Sequence, residues 1–91
     1  MAQRRALIIE AGGERFRFYY DLEQPEVLHI TLHHGTTPRE AIRTFFEGET
    51  SAWDETHGRF ETVTGTHGIY WTRHAHDQSV LMITSFKRGD E

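Results

Sequence analysis

The stretch His33-His34-Gly35-Thr36-Thr37-Pro38-Arg39-Glu40 constrains this chain more than any other, because it reads as one helix ending and another beginning within a single short connection. Gly35 can take the left-handed conformation that closes a helix at little steric cost. Two residues later, Thr37 stands where an N-cap belongs. Pro38 suits the first helical position, and Glu40 completes a Thr-x-x-Glu capping box. Two helices in tandem are therefore required at this point, whatever surrounds them.

The flanks read as strands. Leu7-Ile8-Ile9, then Ala11-Gly12-Gly13, then Arg15-Phe16-Arg17-Phe18-Tyr19 predict a β-hairpin, and the Arg-Phe-Arg-Phe alternation has the period of two of a half-buried strand. Pro25 suits the start of the first helix, which runs to Gly35 with Val27 and Ile30 on one side and Leu28 and Leu32 widening the apolar surface. The second helix is expected from Pro38 to Glu47, burying Ala41, Ile42, Phe45 and Phe46 and stopped by Gly48. The polar residues from Glu49 to Gly58 predict a loop. Strands are expected at Arg59–Thr64, Ile69–His76 and Ser79–Phe86, with turns at Gly65-Thr66-His67-Gly68 and His76-Asp77-Gln78. The six phenylalanines supply most of the core. The resulting ββααβββ order predicts one α+β domain over residues 1–91, an antiparallel β-sheet with two short helices packed on one face.

Composition narrows the chemistry. No run approaches 18 apolar residues, and the start Met1-Ala2-Gln3-Arg4-Arg5 is not followed by an apolar region long enough for a signal peptide. The expectation is a soluble cytoplasmic protein with no membrane partner. The absence of cysteine excludes disulfides, thiol catalysis and thiolate metal sites. A formal charge of −4 opposes nonspecific nucleic-acid binding, which depends on Lys and Arg displacing counterions. Seven histidines would raise the charge on protonation below pH ~6.5.

The segment from Phe18-Tyr19-Tyr20-Asp21 to Phe45-Phe46 resembles the opening of BrnT-type toxins. In that family an aromatic-Asp strand end leads into a short helix closing on a basic-His-Gly signature. A Thr/Ser-Pro-x-Glu-Ala helix start follows, matched by Thr37-Pro38-Arg39-Glu40-Ala41. Arg59-Phe60, Ile69-Tyr70-Trp71 and Ser85-Phe86-Lys87-Arg88 resemble the family's closing strands, so the likeness runs from about Phe18 to Arg88. It implies a fold like that of the RelE and ParE toxins, RNA cleavage, and neutralisation by a cognate antitoxin. Two features depart from the family pattern: His33 stands where the basic residue before His-Gly is usual, and the chain is acidic where the ribonuclease members are basic. The resemblance thus implies either an active ribonuclease or a relative that has lost cleavage and kept binding.

Metal-independent RNA cleavage needs a base for the 2′-hydroxyl, a cation for the developing phosphorane charge and an acid for the leaving oxygen. Arg59, Arg73, His74, His76, Lys87 and Arg88 lie on or just beyond the three C-terminal strands. In the catalytic reading Arg59 and Arg73 steady phosphate charge, His74 or His76 transfers protons, and Lys87 assists. The alternative is that all are solvated residues at a sheet edge. His34 is read either as an RNA contact or as a cap on the free carbonyls of the helix end, where an imidazolium meets the negative end of the dipole. Tyr70 and Trp53 are candidates for stacking on a base or anchoring a protein, with core packing the default for a strand aromatic. Trp53, in the acidic loop Ser51-Ala52-Trp53-Asp54-Glu55, suits a basic protein partner. His29 and His33 at i, i+4 have the spacing of a two-imidazole metal pair, without the intervening Glu of a His-Glu-x-x-His motif.

The leading expectation is a BrnT-like toxin of a type II toxin–antitoxin system, an endoribonuclease needing no cofactor. Its rival is a noncatalytic protein-binding module on the same fold. A His-based metal-binding protein is the third reading.

Overall fold

The computed structural model describes residues 5–89; Met1–Arg4, read above as lacking the features of a leader, lie outside them. Strands β1 (Ala6–Ala11) and β2 (Glu14–Tyr19) form the expected hairpin. Helices α1 (His29–His34) and α2 (Pro38–Glu47) follow. The chain then forms β3 (Glu49–Thr50), β4 (Phe60–Val63), β5 (His67–Arg73) and β6 (Val80–Lys87). All six strands join one sheet in the order β1-β2-β6-β5-β4-β3. None of the described helices is long and apolar enough to cross a membrane.

The α+β class and the two helices are as expected. The sheet is mixed rather than wholly antiparallel, because β6 lies parallel to β2 while the other four junctions are antiparallel. The parallel register sets Phe16 beside Val80 and Phe18 beside Met82, so both strands bury the same face. Burying each of these phenylalanines contributes about 1.5–3 kcal/mol.

The core face carries Phe16, Phe18, Ile69, Trp71, Val80 and Met82, closed over by Leu28, Ile30 and Ala41 from the helical segment. Phe45 bridges Phe16 and Trp71 edge-on, with ring centroids 5.2 and 4.9 Å away. Buried Thr62 accepts the Trp71 indole N–H at 2.8 Å, which lets a polar tip sit inside. Phe46 and Phe86 depart from the expected core. Phe46 is 49 % exposed, and Phe86 lies beside Tyr70 at 5.4 Å.

The helix joint forms as its residues dictate. Gly35 has φ 67°, and its N–H donates to the Thr31 carbonyl. Thr37 and Glu40 exchange both capping-box bonds, at 3.0 and 3.1 Å. Between them Thr36 is buried and accepts from Ser85 Oγ of β6 at 2.8 Å, pinning the joint to the sheet. Helix α1 begins at His29 rather than at Pro25. The Asp21 side chain accepts from the Glu23 and Gln24 amides, and the Asp21 amide donates to the Val27 carbonyl. These bonds hold the segment in turns, and Leu28 is still extended in a bridge to Tyr20.

Candidate functional site

The residues expected to cut RNA are distributed along the sheet. Arg73, His74 and His76 gather at the β5–β6 turn, where the two imidazole centroids lie 5.6 Å apart. Arg73 is already bound to Glu14 through both oxygens, at 2.6 and 3.1 Å. That contact holds the Glu14 carboxyl below its ordinary range and raises the Arg73 guanidinium above its own. A cleft of about 630 Å³ opens beside this turn, lined by Glu10, Glu14, Asp77, Arg15 and Arg73 among others. Its cations are balanced by carboxylates: Arg15 meets Glu10 at 2.9 Å, and Arg17 beside the cleft meets Asp77 at 3.0 Å.

Arg59 is elsewhere. It flanks β4, with its guanidinium 3.8 Å above the Tyr70 ring on the sheet face away from the helices. Burial, then Glu61, raise the Tyr70 phenol above its usual pKa. Lys87 occupies the opposite end of the hairpin from Arg73, because His67 pairs with Lys87 and Arg73 with Val80. Six strand steps at ~3.3 Å each put roughly 20 Å between the two ends. Arg88 donates to the Thr64 carbonyl at that far end. Trp53 is 44 % exposed, its ring against Phe60 at 4.9 Å. The fold therefore brings Arg73, His74 and His76 together, sets Arg59 at the same end of β5 but over the Tyr70 ring, and leaves Lys87 at the other end.

At the helix joint the histidines find a partner that the sequence reading quoted only as part of the family likeness. Asp21, at 5 % exposure, follows β2 and turns one oxygen toward α1. His29 Nδ1 lies 3.1 Å from Asp21 Oδ1, and His33 Nε2 lies 2.8 Å from the same atom. Burial opposes ionisation of Asp21, but the Glu23 amide, His29, His33 and the Gln24 amide outweigh it and hold the carboxyl at about 2. The legible signal was an Asp ahead of a Leu-Glu-Gln-Pro turn, a side chain suited to bonding its own backbone two residues on.

His34 faces differently from its neighbours. Its Nε2 is 3.0 Å from Thr84 Oγ1 of β6. Burial, then the charges of His29 and His33, lower its pKa. Lys87 approaches the same joint: a Cβ on Gly35 would stand 3.6 Å from its Nζ.

A third surface is apolar. Among the described residues β1 pairs only with β2, which leaves the outer edge of a six-residue strand open. Against it lies a shallow cleft lined by Ile9, Ala11, Ile42, Arg39 and Arg43. Ile8, 41 % exposed, continues the apolar surface on the other face of the sheet. Arg43 meets exposed Glu47 at 3.2 Å, and Arg39 has no carboxylate partner among the described residues. Compared with protein-family models, with characterised proteins and with solved structures, the chain finds no match in any of the three.

Proposed function

We propose that this chain is a BrnT-like member of a toxin–antitoxin-type pair that works by holding a protein partner, with the outer edge of β1 as the docking surface. The observation that carries this reading is the open, apolar edge strand next to the cleft over Ile9, Ala11 and Ile42. An unpaired row of backbone N–H and C=O groups is a template for an added strand. Natural edges are usually guarded by charged side chains, Pro or a bulge; Ala6-Leu7-Ile8-Ile9-Glu10-Ala11 carries one charge, Glu10, and neither Pro nor bulge. Arg39 and Arg43 beside the cleft select a segment that alternates apolar residues with Asp or Glu. The loop around Trp53, whose side chain is 44 % exposed, suggests a basic partner instead, but β3 at that edge offers only two residues for strand pairing.

Ribonuclease action is the second reading, favoured by the gathering of Arg73, His74 and His76 at the β5–β6 turn beside the 630 Å³ cleft. It ranks second because Glu14 occupies the cation that a phosphate would need.

Two assays separate them. The tag-free protein is titrated against fluorescent ten-residue peptides that alternate valine with glutamate or with lysine. Saturable binding of the glutamate peptide, weakened about tenfold by Arg39→Glu/Arg43→Glu, is the expected result. No binding of either peptide, or an unchanged affinity in the double variant, would sink the docking assignment. Total RNA incubated with the protein at pH 6 and 7.5, with and without EDTA, is expected to remain intact. EDTA-resistant cleavage that disappears in Arg73→Ala/His74→Ala would instead establish the nuclease.

A further inference from the structure

Asp21, His29 and His33 come together from two segments, and their geometry has the marks of a ligand set. The three candidate atoms, Asp21 Oδ1, His29 Nδ1 and His33 Nε2, all lie within 4.8 Å of one another. Separations from the carboxylate oxygen are 3.1 and 2.8 Å. Around a dication with bonds near 2.1 Å, neighbouring ligand atoms stand ~3.0 Å apart in an octahedral shell and ~3.4 Å in a tetrahedral one. The two separations from Asp21 Oδ1 therefore match neighbouring positions in an octahedral shell, and the two imidazole nitrogens, within 4.8 Å of each other, need only a shared ion to close the set.

The supports are those a metal centre requires. Asp21 Oδ2 accepts the Glu23 and Gln24 amides at 2.9 and 3.1 Å, which locks the carboxylate with Oδ1 toward the imidazoles. His29 and His33 sit one turn apart on α1, whose far end is fixed to β6 through Thr36 and Ser85. The acid is buried, while the two side chains of His29 and His33 are 36 % and 47 % exposed, so one side of the triad faces solvent.

We propose that Asp21, His29 and His33 form a three-ligand site for a first-row transition dication of the Zn²⁺, Co²⁺ or Ni²⁺ class, with water or an external ligand on the open side. Two imidazoles and a carboxylate select these borderline ions over Mg²⁺ and Ca²⁺, which prefer oxygen alone. On binding, each imidazole exchanges its contact with Asp21 Oδ1 for a nitrogen–metal bond. His34 stays outside the set: its ring lies 6.2 and 6.3 Å from the other two, and its Nε2 contacts Thr84. The site is independent of the β1 edge, so the fate of one proposal leaves the other standing.

The test uses tag-free, chelator-stripped full-length protein, titrated with Co²⁺ by visible absorption and with Zn²⁺ by calorimetry. The expected result is one ion per chain and a raised thermal midpoint. His29→Ala and His33→Ala, each checked for fold by circular dichroism, are expected to weaken binding by about tenfold or more. His74→Ala/His76→Ala, which removes the other close histidine pair, is expected to bind as wild type does. No saturable binding by wild type would overturn the proposal. So would binding that survives both His29→Ala and His33→Ala, or binding lost in His74→Ala/His76→Ala.

Discussion

Asp77 shows how much one side chain can organise at a turn. Its Oδ2 lies 3.0 Å from Arg17 and 3.7 Å from Arg15, while Oδ1 accepts the Ser79 amide at 3.0 Å and stands 3.6 Å from His74 Nδ1. The bonds from Ser79, followed by Arg17, hold the carboxyl well below the usual carboxylate range. A folded-state pKa depressed below the unfolded value of about 3.9 adds stability above that value and loses it as pH falls further. The thermal-midpoint gap between wild type and Asp77→Asn is therefore expected to be constant above pH ~5 and to narrow below pH ~3.9. A gap independent of pH down to pH ~2 would mean that the charge contributes nothing. Residue-scale roles of this kind are only half legible in a sequence. His34 read as a cap because it precedes Gly35; its bond to Thr84 depends on a strand 50 residues away.

At the scale of elements, local chemistry predicted well wherever the stabilising partners are local. Helix α2 has the bounds expected from Thr37, Pro38, Glu40 and Gly48, because its caps lie within four residues of its ends. Thr37→Ala removes the acceptor for the Glu40 amide and should cost ~1 kcal/mol. In a domain of this length that lowers the midpoint by roughly 4–8 °C, read by thermal circular dichroism. An unchanged midpoint would show that packing alone holds the helix. Helix α1 came out shorter than Pro25 suggested. Asp21 offers the following backbone an alternative set of hydrogen bonds, and a helix-start signal carries no record of that competitor. The same competition creates the ligand cluster, since the turn that shortens α1 also aims Asp21 at His29 and His33.

For the whole molecule, position in the sheet sets local stability. Strand β6 is hydrogen-bonded on both sides, by β2 and β5, whereas β1 and β3 are edges. Amide exchange is expected to be slowest in β5 and β6 and faster in β1, with the glutamate peptide slowing β1 selectively. Peptide binding without added protection in β1 would move the docking site elsewhere. From residue order alone came the hairpin, the two helices with their glycine and capping-box joint, the three later strands and the α+β class, because periodicity and caps act over a few residues. The parallel contact of β2 with β6, the ion pairs that bind Arg73 and Arg17, the separation of Lys87 from the β5–β6 turn and the convergence of Asp21 with two histidines came only with the tertiary structure. Those contacts join residues 8 positions apart, as Asp21 and His29, to 64 apart, as Phe16 and Val80, and at such separations it is the packing of a common core, rather than any local preference, that chooses which side chains meet.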